Sequence, residues 1–232
     1  MIGIGTVANA VAIVVGTVIG VLVKDGIPER FDRIIKSAVG TAVIMIGICG
    51  VVANEGNSMI LVLSLVAGGV IGELLQLEER VEQLGNWLKK TFVQKNESAN
   101  EHFAEGFLTA SVIFVVGAMA IIGSMNDGLL HDPSMLFTKA ILDGVTAIVL
   151  ASTFGIGVGF SAIPILVYQG LLTLLAGVLE PVLTEELIRN MSYVGDAIIF
   201  CIGVNFIWPK KIKTGNLFPA MFLPILLGFF IK

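Results

Sequence analysis

The sequence predicts an all-α integral membrane protein of about eight transmembrane helices, and three observations carry that prediction. Of 232 residues, 56% are hydrophobic and 14% charged, and the mean hydropathy is +0.94. Soluble domains hold roughly one-quarter charged residues, and a water-soluble fold of this size could not hide so much apolar side chain. Second, the apolar residues fall in runs close to the length that crosses a bilayer. Third, the basic residues collect in alternate connections between those runs.

The runs lie at about 2–23, 34–53, 59–77, 107–124, 135–154, 160–179, 191–207 and 217–231. The first has no basic leader and no small-residue cleavage site, so it reads as a span and not as a removable signal. The third carries Gly68, Gly69 and Gly72 just before Glu73, small residues that let another helix approach. Segment 78–93, EERVEQLGNWLKKTFV, repeats Val81, Leu84, Trp87 and Leu88 at spacings of three and four. With charges on its other face, it is expected to lie along the membrane surface as an amphipathic helix. A polar loop, 94–102, follows it. The turn-rich segment 123–134 precedes the fifth run, and Asp132 or Ser134 is placed to cap that helix. The fifth and sixth runs are separated only by Gly155-Ile156-Gly157-Val158-Gly159, read as a tight hairpin or a break. The eighth run is short and contains Pro219 and Pro224; if it fails to cross, seven spans remain.

With the N-terminus outside, the inner segments hold Lys24, Arg30, Arg33 and Lys36, then Arg80, Lys89, Lys90 and Lys95, then Lys210, Lys211 and Lys213. Of the 14 lysines and arginines, only Lys139, Arg189 and Lys232 fall elsewhere. That asymmetry predicts cytoplasmic basic loops and an outer N-terminus.

The stretch ERFDRIIKSAVGTAVIMIGICG from Glu29 and the stretch EELIRNMSYVGDAIIFCIGVN from Glu185 align Glu29 with Glu185 and Arg33 with Arg189. Gly40 then meets Gly195 after a one-residue slip. Each segment has an apolar run before and after it, which gives units 2–77 and 160–231. With eight spans the two units enter from opposite sides, an inverted repeat of the kind secondary transporters use. Chance likeness between two apolar segments is the competing reading.

Charges inside apolar runs need a reason, since each costs about 2.5–3.5 kcal/mol at mid-bilayer on insertion scales. Lys139 and Asp143 lie four apart on one face of the fifth span, with Thr146 extending the polar stripe. They read as a neutralised strut or as an ion site that Lys139 tunes. Glu73 and Asp196 are candidate coupling carboxylates, though Glu73 can also reach the interface or cap a helix. Asn9, Gln169 and Asn205 are amides that line a path or hold helices together. Asn126 and Asp127 either shape the turn or form an outer cation vestibule.

Several function classes are excluded or left without support. An acidic chain, at net charge −4, with no dense basic stripe is not expected to bind nucleic acid. Cys49 and Cys201 sit in apolar runs without CxxC spacing and read as small buried hydrophobes. Neither His102 nor His131 belongs to a ligand cluster, no nucleophile–base pair stands out, and the glycine stretch 155–159 lacks the lysine of a phosphate loop. No cofactor and no enzymatic activity are expected.

AIIGSMNDG (120–128), DPSMLFTKAILDG (132–144) and GVGFSAIPILVYQG (157–170), with Asn9 and the Gly72–Glu73 pair, resemble the family called domain of unknown function 554, the YdfK/YqgA-like group. The resemblance runs over essentially the whole chain. It implies a protein of the bacterial cytoplasmic (inner) membrane, often labelled a transporter, and supplies no catalytic residues. It draws attention to Asn126, Asp127, Lys139, Asp143 and Gln169, which fall within those blocks. Together these readings lead to an ion- or proton-coupled secondary transporter of a small solute, working as a homodimer in the lipid bilayer. An ion channel, or an accessory protein that scaffolds a complex without transporting, is the alternative.

Overall fold

The computed structural model describes residues 2–24, 29–92, 102–208 and 212–228, and among these there are helices and turns but no strand. The helices are α1 (Ile4–Lys24), α2 (Glu29–Asn54), α3 (Ser58–Leu74), α4 (Leu77–Phe92), α5 (Phe103–Val115), α6 (Ala118–Leu129) and α7 (Ser134–Phe154). They continue with α8 (Ala162–Leu174), α9 (Ala176–Leu179), α10 (Glu185–Ile207), α11 (Thr214–Leu217) and α12 (Leu223–Leu227). Turns of 3-10 helix, Gly155–Ser161 and Phe218–Phe222, precede α8 and α12. Lys95, Lys210, Lys211, Lys232, Val93 and the loop 94–101 lie outside the described residues.

Four stretches are long and apolar enough to cross a membrane: Ile4–Val23, Ser37–Asn54, Ser134–Leu174 and Glu185–Ile207. Counting each of the bent pairs α3/α4 and α5/α6 as one span raises the number to six. The stretch Ser134–Leu174 is not a single rod. Asn9 Nδ2 lies 2.9 Å from Asp143 and 3.4 Å from Gln169, whereas one continuous helix would hold those two residues roughly 40 Å apart. The chain therefore folds back through Gly155–Ser161, starting at Gly155 with φ +78°, a left-handed conformation that suits glycine. The hairpin reading of the glycine stretch describes what happens there.

One run read as a simple span is broken, and another turns sharply at its end. The fourth bends by 62° between α5 and α6, where Gly117 takes φ +112°. The third bends by 56° into α4, through Gln76 at φ +51°, so the amphipathic helix springs directly from the end of the run. The last run, 217–231, starts as a chain of short turns with Pro219 and Pro224 near the starts of two of them; residues 229–231 lie outside the described part.

The chain divides into two compact units. The first comprises Met1–Asp32, Val81–Val115 and Met119–Val182. In it α1 runs alongside α7 in the same direction, with Gly5 against Leu136, Gly16 against Gly144 and Gly20 against Ile148. The spacing of four between Gly16 and Gly20 brings the two backbones together, as small residues do in membrane helix pairs. From Val81 onward, α4 splits its apolar stripe. Leu88 packs with Phe103 and Phe107, flanked by Val81 and Phe160, while Leu84 and Trp87 stay 47% and 57% exposed. The second pair is what remains for a membrane surface.

The second unit comprises Arg33–Arg80, Val116–Ala118 and Leu183–Lys232. Here α2 and α10 run antiparallel: Gly40 meets Phe206, Ile44 meets Gly203, Gly47 meets Phe200 and Gly50 meets Asp196. Cys49 is exposed and Cys201 half-buried, both as free thiols. The expectation of buried cysteines is thus corrected for Cys49, a small apolar residue on an outward helix face that a lipid-facing surface tolerates. The start of α3 is fixed by Asn57, whose Oδ1 accepts from the backbone N–H groups of Met59 (2.9 Å) and Ile60 (3.3 Å). Two of the helix's first amides are satisfied this way. Asn57→Ala is expected to lower stability by about 1 kcal/mol, read by thermal unfolding in detergent. An unchanged melting temperature would show that the cap carries no weight.

Candidate functional site

On α7 the buried residues recur as Leu136, Lys139, Ala140, Asp143, Gly144 and Ala147, at helical spacing, so the charged pair lies on an inward face. Lys139 Nζ is 2.8 Å from Asp143 Oδ2 and 3.0 Å from Oδ1. The ammonium thus sits across both carboxylate oxygens, and the two side chains are only 7% and 10% exposed. Asn9, fully buried on α1, donates through Nδ2 to Asp143 Oδ2 at 2.9 Å and to Gln169 Oε1 of α8 at 3.4 Å. Three helices therefore meet at one polar point inside the first unit, and the ion pair is neutral as a whole.

The surroundings are polar and incompletely satisfied. Asp127, on α6, is also fully buried. Its Oδ2 accepts the N–H of Gly5 at 3.3 Å, in the first turn of α1, where an anion is favoured. Its Oδ1 has no hydrogen-bond partner among the described residues, nor do Asn9 Oδ1, Gln169 Nε2 and the hydroxyls of Thr6, Ser124 and Thr173. All of these residues are at least nine-tenths buried. Buried polar atoms without partners are rare in folded proteins and ask for an explanation.

The remaining sequence candidates fall elsewhere. Thr146 turns its hydroxyl onto the Leu142 carbonyl of its own helix at 2.8 Å and does not extend the charged stripe. Asn126 is half-buried, and its carbonyl accepts from the N–H groups of Leu130 and Asp132, closing the turn before α7. There Asp132 Oδ1 accepts the N–H of Ser134 at 3.0 Å, and the hydrogen bonds from Ser134 hold the Asp132 carboxyl below its ordinary value. In the second unit, Asp196 Oδ2 accepts from Asn54 Nδ2 at 2.6 Å. Both ends of the Asn205 amide clasp the backbone of Ile212, at 2.6 and 3.0 Å. Exposed Glu73 pairs with Lys213 at 2.6 Å and accepts from Asn216 Nδ2 at 2.7 Å. The hydrogen bond from Lys213 to Glu73, helped by the charges of Glu73, Glu79 and Glu78, raises the Lys213 ammonium above the usual lysine value against its desolvation. Of the ten candidates, Asn9, Asp127, Lys139, Asp143 and Gln169 share the first unit's buried polar region.

Thr6, Ser124 and Thr173 escaped the sequence reading. Each lies three or four residues from a residue that was selected, Asn9, Asp127 and Gln169 respectively, and that spacing was the available signal. Asn54, Asn190 and Asn216 were also missed; only their partners across the fold mark them out. Among the described residues no group of three or more His, Cys, Asp or Glu could hold a metal ion.

The family described as protein of unknown function (DUF554) matches residues 4–229. The chain is 34% identical over 230 residues to the uncharacterized membrane protein YdfK of Bacillus subtilis, covering 98% of this chain and 96% of that protein. It is 32% identical over 221 residues to the uncharacterized protein YqgA of Escherichia coli, covering 95% and 94%. No solved structure matches.

Proposed function

We propose an activity for a chain that belongs to the DUF554 family, a family of unknown function: coupled secondary transport of a small solute through the inner membrane. One observation carries it, the Lys139–Asp143 pair buried between Asn9 and Gln169. A charge pair inside apolar helices is costly, and an ionisable residue there is by default a candidate functional site. Its unpartnered neighbour Gln169 Nε2 offers a donor for an oxygen on a bound solute. Protonation of Asp143 would free Lys139, which gives ion or proton coupling a place to act.

An eight-span path with the N-terminus outside is part of the proposal. Alternate crossing requires α1 and α7 to run the same way and α2 and α10 to run opposite ways, and within the units they do. Under that orientation Asn9, near the start of α1, Lys139, near the start of α7, and Gln169, near the end of α8, all fall in the outer half. The matched helices α2 and α10 begin at Glu29 and Glu185, which supports the inverted repeat; the compact units, however, draw residues from both proposed repeat segments. A homodimer is retained, with exposed apolar faces in place of glycine faces as its support, because Gly16, Gly20, Gly47 and Gly72 are already packed within the chain.

The test is a thermal-shift screen of the detergent-purified protein against amino acids and organic acids, since a ligand that binds only the folded state raises its apparent stability. Compounds that shift the wild type are then followed as uptake into proteoliposomes. At least one is expected to stabilise the wild type and to be taken up, with both responses lost in Asp143→Asn. Uptake that survives in that variant would remove the buried pair from the mechanism.

A further inference from the structure

The unpartnered atoms around Asp127 have a composition of their own. Five of the six are oxygens, Thr6 Oγ1, Asn9 Oδ1, Ser124 Oγ, Asp127 Oδ1 and Thr173 Oγ1, and the sixth is Gln169 Nε2; all lack a hydrogen-bond partner among the described residues. They come from three helices that three contacts close into a ring. Asp127 of α6 accepts from Gly5 of α1, Asn9 of α1 donates to Gln169 of α8, and the Thr173 carbonyl of α8 lies against Gly128 of α6. Each unpartnered oxygen sits on one of those contact residues or within a turn of it.

We propose that this ring is a binding site for a dehydrated alkali cation, with Asp127 as its charged ligand and the Thr6, Asn9, Ser124 and Thr173 oxygens completing the shell. Hard oxygen ligands of this kind suit hard cations. Charge balance selects a monovalent ion: Lys139 and Asp143 neutralise each other, which leaves one carboxylate uncompensated. A divalent ion would turn that deficit into an excess charge in a low-dielectric interior. An anion would face the carboxylate. A proton on Asp127 could be donated to only one of the four neutral oxygens and would leave the other three unpartnered. The site shares Asn9 with the Asp143 centre, so it names the coupling ion of the transport reading and in that role rests on it; ion binding itself does not.

The test is equilibrium unfolding of the full-length protein in detergent, with NaCl, KCl or LiCl replacing choline chloride at constant ionic strength and no solute present. One of the three ions is expected to raise the melting temperature saturably, by about 5–10 °C at a hundredfold excess over its Kd. Asp127→Asn is expected to abolish the response. Ser124→Ala and Thr173→Val, which keep the fold testable if Asp127→Asn does not fold, should each weaken apparent ion affinity by about tenfold. Glu73→Gln, in the second unit, should respond like the wild type. A melting temperature indifferent to all three ions, or one that follows pH alone, would overturn the site and point to water or a proton there. So would an undiminished response in Ser124→Ala and Thr173→Val. Any of those results leaves the Asp143-dependent solute response standing, and loss of that response leaves ion binding standing.

Discussion

Lys139→Ala is expected to destabilise the protein by about 3–5 kcal/mol, the usual cost of leaving one buried charge without its partner. The ammonium contacts both oxygens of Asp143, at 2.8 and 3.0 Å, and both side chains are almost wholly buried. Once it is gone, Asn9 Nδ2 is the donor left to the carboxylate, and one neutral amide cannot replace a charge inside apolar helices. The loss should appear as a fall in melting temperature of roughly 10 °C. A second variant separates charge imbalance from lost packing. Lys139→Met combined with Asp143→Leu removes both charges at similar volume, and well-packed apolar replacements of this kind are often neutral or stabilising. The double variant should therefore recover most of the stability while remaining inactive in uptake. If Lys139→Ala melts with the wild type, the ion pair contributes little and its burial has another cause.

Gly72→Ala should be the most disruptive single methyl in the second unit, at about 1–3 kcal/mol for overpacking. A Cβ there would collide with the backbone carbonyl of Asn216, and backbone cannot rotate aside as a side chain can. Asn216 is also the hub of its neighbourhood. Its Nδ2 donates to Glu73, its Oδ1 accepts the N–H of Glu78 at 2.8 Å, and the N–H of adjacent Gly215 donates to Glu78 Oε2 at 2.9 Å. Displacing it loosens all three hydrogen bonds, which puts the expected cost near the top of that range. Gly69→Ala is the control. Its methyl would meet only the tip of the Leu217 side chain, at 3.2 Å, so it should melt close to the wild type. Equal melting temperatures for the two variants would mean that the close approach of α3 and α11 contributes nothing.

How much of this was legible in the sequence follows from what each signal depends on. The apolar runs and the Lys139–Asp143 pair were readable because they rest on local spacing alone. The break of the fourth run was not, nor was the sharpness of the turn at the end of the third. Gly117 is one of 27 glycines, and only its φ distinguishes it from those that serve close packing. Gln76 carries no turn signal in its identity, because the left-handed residue that bends α3 into α4 is not a glycine. Asn9 and Gln169 were selected as amides in spans, but nothing local joins residues whose positions differ by 160. Glu73 is instructive in the other direction. Its place near the end of a span allowed a partner at the interface, and Lys213, 140 positions away, is that partner.

The reach of Asn9 also sets a timetable for the protein's birth. Its two partners follow it by 134 and 160 positions. At about 5–20 residues per second, the first helix is synthesised on the order of 10 s before either partner exists. Through that interval a polar amide must wait in or beside the bilayer with its final partners still unmade. The second unit waits as well, since it draws on Arg33–Arg80 and then on Leu183–Lys232. A chain arrested before α7 therefore has apolar helices long enough to insert but neither partner of Asn9.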